Sequence, residues 1–392
     1  MWLPVLFLLL ILLTSALGVA HFPSVGFFSS IMSKTNGDED SRRVLVCGGA
    51  GYIGTHTIIC LLEAGYDVTC VDNLVNSNME GLSRVLEITG CDESRLTFFE
   101  VEMNDQAKLE EVFKSSPQFC GCIHFAGLKA VGESVQKPIM YYENNLGSTF
   151  GLLKCMEKYD CPSIIFSSSA TVYGAAKVPI TESTPTGSGI TNPYGRTKYM
   201  IEEILKDWQL ANPSKSVVTL RYFNPVGAHP SGRIGEDPSG VPNNLMPFVS
   251  QVVVGRRPHV NVFGDDYPTK DGTGVRDYIH VCDLAEGHVA ALKYIEKIPT
   301  EILGTERYSV FNLGTGSGVS VLEMIRGMEE ASGKEIKTVI APRRAGDIAE
   351  CYADPAKAAA ELGWKATKTL QDMCNDLWRW QSNNPNGYSK EE

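Results

Sequence analysis

The chain has 392 residues, a formal net charge of −11 and a hydrophobic fraction of 43%. This length allows a large core and predicts one big domain with a smaller lobe. The acidic balance argues against a nucleic-acid surface, because phosphate binding needs a basic field. Its 11 cysteines form no CxxC pairs and its seven histidines have no metal-ligand spacing. We therefore expect buried reduced thiols and no metal site.

Residues 1–33 are strongly hydrophobic, and no charged side chain occurs from Trp2 to Ser33. Three interpretations stay open: a signal peptide, a membrane anchor, or an extension with no role in the folded domain. An anchor would give membrane association through residues 2–20. Lys34, Arg42 and Arg43 would then lie on its cytosolic side and keep the folded domain in the cytosol. Residues 34–42 are polar and predict a linker.

Apolar runs alternate with helical patterns from residue 43 onward. We predict a helix over Thr55–Ala64 and strands at Val44–Cys47, Asp67–Asp72, Leu96–Val101, Cys122–Phe125, Ser163–Ser167, Val217–Tyr222 and Tyr308–Leu313. This rhythm is typical of an α/β fold, a Rossmann-type doubly wound parallel sheet, with a smaller C-terminal substrate-binding lobe. We assign residues 43–224 with 277–340 to the sheet domain, and residues 225–276 with 341–392 to the lobe.

A glycine-rich loop follows the first predicted strand. Gly48, Gly51 and Gly54 give the spacing Gly-x-x-Gly-x-x-Gly directly before a helix. These glycines allow a tight turn, close approach of the backbone to a pyrophosphate, and packing of helix on strand. The strand before the loop and the helix after it predict a dinucleotide site rather than a plain turn.

An acidic residue, Asp72, ends the second predicted strand, 18 residues after Gly54. A carboxylate at this place accepts hydrogen bonds from the adenosine ribose hydroxyls and repels a 2′-phosphate. No Arg or Lys occurs in residues 73–77 to neutralise such a phosphate. The residue types therefore predict NAD rather than NADP.

Tyr194 and Lys198 are four residues apart in a predicted helix and so share a face. A phenol is a poor base at neutral pH, but an ammonium beside it and a nicotinamide charge favour the phenolate. Ser169, at the end of an earlier strand, supplies a third polar group. Together these residues predict a catalytic site for proton transfer.

Taken together, the chain resembles the UDP-glucose 4-epimerase family of the extended short-chain dehydrogenase/reductase superfamily. The matching segments include Gly48–Gly54, Asp72–Ser77, Phe125–Lys129, Ser167–Gly174, Asn192–Lys198, Arg221–Gly227, Asn243–Pro247, Gly272–Asp283 and Arg344–Tyr352. The resemblance runs through the chain beyond about Arg43 and implies C4 epimerisation of a UDP-sugar with tightly bound NAD. It also implies a homodimer, Tyr194 as the base, Lys198 beside it, and Ser169 at the sugar 4-OH.

The resemblance implies further contacts at both ends of the site. The implied cofactor contacts are Gly48, Gly51, Tyr52, Ile53, Gly54, Asp72, Asn73, Asn76, Ser77, Glu102, Met103, Phe125, Ala126, Gly127, Lys129, Asn144, Tyr194, Lys198 and Phe223. The implied substrate contacts are Ser169, Tyr194, Asn224, Asn243, Asn244, Leu245, Asn261, Val262, Phe263, Arg276, Arg344, Asp347 and Cys351. One departure is Glu102 beside Met103, where the family often has Asp.

Three alternatives accompany this interpretation. A related 4,6-dehydratase has carboxylates directly after the active-site hydroxyl residue. This chain has Ala170 and Thr171 at those positions, which argues against dehydration. A UDP-pentose 4-epimerase and a non-catalytic NAD-binding scaffold also stay open. Within the epimerase interpretation, Cys351 replaces a bulky residue at the sugar pocket and predicts turnover of UDP-N-acetylglucosamine and UDP-N-acetylgalactosamine as well.

Overall fold

A parallel sheet of seven strands forms the centre of residues 42–344 and 346–388, the part that this computed structural model describes. Its strands are β1 (Arg43–Cys47), β2 (Asp67–Asp72), β3 (Leu96–Glu100), β4 (Gly121–His124), β5 (Ser163–Ser169), β6 (Ser216–Tyr222) and β10 (Tyr308–Leu313). They run in the order β10-β6-β5-β4-β1-β2-β3, and each neighbouring pair is parallel. The predicted fold class is confirmed, with strand boundaries within two residues of those expected.

Helices lie on both faces of this sheet and also beside the smaller strands beyond it. They are α1 (Tyr52–Glu63), α2 (Met79–Thr89), α3 (Gln106–Ser115), α4 (Val131–Gln136), α5 (Pro138–Lys158), α6 (Pro193–Ala211), α7 (Leu245–Val253), α8 (Val281–Glu296), α9 (Val321–Ser332) and α10 (Leu370–Asn383). Strand β1 is wholly buried, because its side chains alternate between two cores. Val44 and Val46 pack in the core that includes α1 and α8, and Leu45 and Cys47 in the core that includes α3, α5 and α6.

Helix α1 begins at Tyr52, three residues earlier than the predicted Thr55. The helix thus starts immediately after Gly51, so its first backbone N–H groups lie directly at the glycine-rich loop. The first turn contains Tyr52 and Gly54, which are not typical of an amphipathic helix, so the apolar pattern did not indicate this start.

Smaller sheets lie beyond the central one. Strand β9 (Val275–His280) pairs with β7 (Asn224–Val226), β11 (Gly318–Ser320) and β13 (Glu350–Cys351), while β8 (Val260–Phe263) pairs in parallel with β12 (Thr338–Ala341). Strand β12 belongs to the segment assigned to the sheet domain, yet its partner β8 belongs to the predicted lobe. The exact domain boundaries stay a prediction.

The apolar segment 1–33 and nearly all of the predicted linker lie outside the described residues. Within the described part of the chain, no helix is both long and apolar enough to span a bilayer. All 11 cysteines are in that part, and each is buried or half-buried.

Candidate active site

A cavity of about 1390 Å³ opens at the carboxyl ends of the sheet strands. Strand order reverses between β1 and β4, and open α/β sheets bind ligands at such switch points. Apart from Val262, all of the predicted cofactor and substrate residues line this one cavity. Residues that span 304 positions of sequence, from Gly48 to Cys351, are thereby brought together.

The glycine-rich loop turns tightly from β1 into α1. Gly48 has φ +77°, and a Cβ there would lie 2.6 Å from the backbone nitrogen of Ala126. A Cβ at Gly54 would lie 2.6 Å from the carbonyl oxygen of Gly48. A Cβ at Gly51, which lines the cavity, would instead meet its nearest atom, the carbonyl oxygen of Gly48, at the ordinary contact distance of 3.4 Å. Packing within the protein therefore requires glycine at positions 48 and 54. At position 51 the absence of a side chain leaves room for a ligand.

The start of α1 suits an anionic group. Gly51 provides no side-chain cap, and the first turn contains no acidic residue. The exposed N–H groups and the helix dipole therefore favour negative charge at this point. This cradle fits the pyrophosphate of a dinucleotide.

Asp72 is held rigidly at the end of β2. Its carboxylate accepts hydrogen bonds from Ala50 N at 3.0 Å, Leu74 N at 3.0 Å and Ser77 Oγ at 2.8 Å. Two carboxylate oxygens offer about four acceptor sites, so capacity is left for a ribose hydroxyl. Among the ion pairs of residues 42–344 and 346–388, none involves Asp72, which fits an unphosphorylated ribose.

Glu102 forms the neighbouring edge of the cavity. Its carboxylate accepts from Asn73 Nδ2 at 2.7 Å and from Asn104 N at 3.2 Å. The longer side chain noted in the sequence thus still reaches this edge, beside the buried Met103.

The loop after β4, residues 125–129, forms the opposite wall. Asn145 of α5 holds it from behind, since its Oδ1 accepts from Leu128 N at 2.7 Å and its Nδ2 donates to Leu128 O at 3.1 Å. Asn145 Nδ2 also donates to Thr197 Oγ1 of α6 at 3.0 Å. One buried amide therefore couples the predicted cofactor loop to the predicted catalytic helix. No sequence motif marks Asn145, and its only signal is a polar residue on a buried helix face.

Tyr194, Lys198 and Ser169 all line the cavity, and Tyr194 lies within hydrogen-bonding reach of Ser169. Lys198 Nζ donates to Ser167 O at 2.6 Å and lies 5.9 Å from the Tyr194 ring centroid. Pro193 opens α6, and the Asn192 side chain caps it by accepting from Gly195 N at 2.8 Å. The cap fixes where α6 begins, and the spacing of four residues places Tyr194 and Lys198 on the same face of the helix.

Burial raises the pKa of Tyr194, while a hydrogen bond with Ser169 opposes this rise. Burial also lowers the pKa of Lys198 to about 8, and the charge of Glu202 opposes that change. Both shifts disfavour the phenolate–ammonium pair in the protein alone. A bound cation such as an oxidised nicotinamide would restore the balance toward the phenolate.

A buried ionic network lies behind Lys198. Glu202 accepts from Arg221 Nε at 3.0 Å, from Arg221 Nη2 at 2.6 Å and from Ser168 Oγ at 2.5 Å. Arg221 Nη1 donates to Tyr173 Oη at 2.8 Å, which in turn donates to Asn312 at 2.7 Å. This bidentate pair fixes α6 to β5 and β6. No motif marks Glu202 in the sequence, although its place four residues after Lys198 puts it on the same helix face.

The opposite end of the cavity carries two arginines. Asp347 lies between them, 2.8 Å from Arg344 Nε and 3.8 Å from Arg276 Nη2. The Arg344 guanidinium also lies 5.0 Å from the centre of the Phe263 ring. Two guanidinium groups and an exposed aromatic face can bind a diphosphate and a flat base.

Val262 is the one predicted substrate residue that does not line the cavity, and its contact with substrate stays a prediction. Successive side chains of a strand point to opposite faces, so Asn261 and Phe263 of β8 line the cavity while Val262 packs into the core. The resemblance matched residues 261–263 as one segment and did not take the alternation of side chains along the strand into account.

No group of three or more His, Cys, Asp or Glu side chains within residues 42–344 and 346–388 could hold a metal ion. The cavity instead offers a dinucleotide cradle, a buried proton-transfer group and a cationic end.

Comparison with known proteins agrees with this geometry. Residues 45–377 match the family described as GDP-mannose 4,6 dehydratase. The chain is similar to UDP-glucose 4-epimerase of Bacillus subtilis, with 57% identity over 89% of this chain and 99% of that protein. It is also similar to the mouse (Mus musculus) UDP-glucose 4-epimerase, with 55% identity over 88% of this chain and 99% of that protein.

Solved structures show the same likeness. UDP-glucose 4-epimerase from Bifidobacterium longum, in complex with NAD+ and UDP, superposes with a TM-score of 0.83 and 56% identity, covering 88% of this chain and 99% of that one. The UDP-Glc/GlcNAc 4-epimerase of Campylobacter jejuni superposes with a TM-score of 0.73 and 34% identity, over 87% and 99%.

The doubly wound sheet, the glycine-rich loop and the Tyr–Lys pair define an extended short-chain dehydrogenase/reductase. Within this class, the relatives that are more than half identical to the chain over nearly their whole length are UDP-glucose 4-epimerases. The chain belongs to the UDP-glucose 4-epimerase family.

Proposed function

We propose that the protein interconverts UDP-glucose and UDP-galactose by inverting C4 of the sugar. The observation that carries the proposal is that Tyr194, Lys198 and Ser169 line the same cavity as the glycine-rich loop and a pair of arginines. A proton-transfer group placed between a cofactor and a nucleotide-sugar site can oxidise and re-reduce one carbon.

The chain's own residues have distinct roles in this proposal. Thr171 donates its backbone N–H and its hydroxyl to Ser169 Oγ, at 3.2 and 3.0 Å, which leaves the Ser169 hydrogen to be donated within the cavity. Tyr194 takes the proton of the sugar 4-OH and later returns it, while Ser169 orients that hydroxyl. When bound, NAD would supply the hydride chemistry by which C4 could be oxidised to a 4-keto sugar and reduced again.

Arg276 and Arg344 hold the diphosphate while the sugar turns over between the two hydride transfers. Asp347 orients both guanidinium groups and limits the net positive charge at this end. Such a clamp keeps the intermediate in the site, because a bidentate guanidinium–phosphate contact is both strong and directional.

We expect the purified protein to contain NAD and to convert UDP-galactose to UDP-glucose without added cofactor. The measurement is product formation by chromatography, together with the absorbance of reduced nicotinamide during turnover. Bound NAD with no conversion of any UDP-sugar and no reduced-nicotinamide signal would favour the non-catalytic scaffold. Conversion of UDP-xylose and UDP-arabinose, but not of the hexose pair, would establish the UDP-pentose alternative.

We also propose a broad sugar pocket, which rests on Cys351. This small side chain lines the cavity from β13, directly beside Arg276 of β9 in the strand register. We expect the protein to interconvert UDP-N-acetylglucosamine and UDP-N-acetylgalactosamine. In the variant Cys351→Tyr, kcat/KM for this pair should fall on the order of 100-fold, because an added ring competes for the acetamido space. Cys351→Ser is the matched control and should retain both activities, and a wild-type enzyme inactive on acetylated sugars would contradict the proposal.

We propose a homodimer that uses the exposed face of α5. Ile139 and Phe150 are 65% and 44% exposed, and a spacing of 11 residues places them on one side of the helix. Met200 on the neighbouring α6 is 38% exposed. Apolar side chains of this kind on adjacent helices support an isologous interface.

We propose that the catalytic domain is cytosolic and that residues 2–20 are the candidate for membrane association, supported by the cations Lys34, Arg42 and Arg43 after the apolar segment.

A further inference from the structure

A long connection crosses the cavity between β7 and α7. We call residues 227–244 the crossing loop. Its outer side is tied to the C-terminal residues of the described chain, since Tyr388 N donates to Asp237 Oδ2 at 2.9 Å and Trp380 Nε1 donates to Glu236 O at 3.4 Å. Its inner side lines the cavity with residues 235–239. The loop is therefore supported from behind and faces the dinucleotide half of the site.

Three contacts join the crossing loop to the predicted cofactor walls. Tyr52 Oη, from the first turn of α1, donates to Gly227 O at 2.7 Å. Ser239 N donates to Asn76 Oδ1 at 3.2 Å. Lys129 Nζ donates to Glu236 Oε1 at 3.0 Å and joins the crossing loop to the wall formed by residues 125–129.

The ion pair between Lys129 and Glu236 is asymmetric. The Glu236 side chain is 7% exposed, whereas that of Lys129 is 48% exposed. The backbone of Glu236 is also fixed by Trp380, so the carboxylate is the stationary member of the pair. An ammonium has three donors and Glu236 occupies one, which leaves two for a ligand in the cavity.

We propose that Glu236 is a positioning residue for the cofactor. Its buried carboxylate holds the Lys129 ammonium at the dinucleotide half of the cavity and keeps the crossing loop closed over it, so that NAD is retained between turnovers. This inference rests on the proposed NAD-dependent function. Glu236 acts through Lys129 and through the loop itself, where its Oε1 also accepts from Asn244 Nδ2 at 3.4 Å.

The test is the dissociation rate of NAD from the full-length holoenzyme carrying Glu236→Gln, which keeps the shape of the side chain and removes its charge. Released NAD is trapped by an excess of an NAD-consuming dehydrogenase and followed over time. We expect dissociation at least about 10-fold faster than wild type, because the Lys129 ammonium loses its buried charged partner and the crossing loop loses a tie to the cofactor wall.

A double-mutant cycle separates positioning from a general structural role. In a Lys129→Met background, Glu236→Gln should cause no further acceleration, because the pair is already broken. Glu87→Gln is the matched control: it removes an ion pair to Arg233 of the same loop on the outer surface and should leave NAD dissociation unchanged. If Glu236→Gln does not fold, Glu236→Asp serves instead, since it keeps the charge but shortens its reach.

An unchanged NAD off-rate in Glu236→Gln, or accelerations that add fully with those of Lys129→Met, would overturn the inference. Failure of the proposed function has a different signature, namely wild-type protein that neither contains nor takes up NAD. Wild-type protein that holds NAD and epimerises, together with an unaffected Glu236 variant, rejects the positioning role alone.

Discussion

Replacing Tyr194 by Phe is expected to lower kcat by about 10²- to 10⁴-fold, the range typical for loss of a positioned general base. The phenol oxygen is the group placed beside Ser169 in the cavity, while Lys198 donates independently to Ser167 O at 2.6 Å and keeps its position. NAD content should therefore be close to wild type. The measurements are steady-state turnover of UDP-galactose and the amount of NAD released on denaturation.

Tyr142→Phe is a suitable control for this variant. Tyr142 is a half-buried tyrosine on α5 that does not line the cavity, so the same chemical change there should leave kcat unaltered. Near-normal turnover in Tyr194→Phe would mean that another group takes the 4-OH proton. A loss of bound NAD along with activity would instead assign Tyr194 mainly to cofactor binding.

Replacing Arg221 by Met is expected to lower the free energy of unfolding by about 3–5 kcal/mol, because it leaves the Glu202 carboxylate buried without its cation. Both side chains are nearly inaccessible, at 6% and 3% exposure, and they share two hydrogen bonds. The measurement is denaturant unfolding at one fixed NAD concentration, since bound ligand adds to apparent stability.

The exposed pair of Arg233 and Glu87 provides the comparison. Their side chains are 49% and 52% exposed, so Arg233→Met should cost less than about 1 kcal/mol. Adding Glu202→Gln to Arg221→Met should recover part of the loss, because no charge is then left in the core. If Arg221→Met is no more destabilising than Arg233→Met, the buried pair does not hold α6 to the sheet.

Loss of the pair between Arg221 and Glu202 would also change the surroundings of Lys198 in the cavity. Glu202 lies one helical turn from Lys198 and its charge raises the pKa of that ammonium against the effect of burial. The network that stabilises the fold therefore also supports the charge beside Tyr194. Stability and proton transfer are linked here through a single helix.

The central fold could be predicted from the sequence because its signals are local. Each buried strand is a short apolar run, and the glycine spacing at Gly48, Gly51 and Gly54 is set by a turn within seven residues. Tyr194 and Lys198 share a face through helical periodicity alone. The resemblance to a family then assigned distant residues to the same site, and the cavity brings them together with the exception of the Val262 side chain.

What the sequence by itself determined is the order of strands and helices, the turn of the glycine-rich loop and the shared helix face of Tyr194 and Lys198, since each depends on neighbours a few residues away. Only the tertiary structure decided that Asn145 ties two walls of the cavity, that Glu202 is paired with Arg221, and that Lys129 meets Glu236 across 107 positions. These contacts depend on how helices and loops pack on the sheet, and no periodicity within one segment encodes a partner in another. The same reason explains Val262, because the side of β8 that faces the cavity is set by the packing of the whole small sheet.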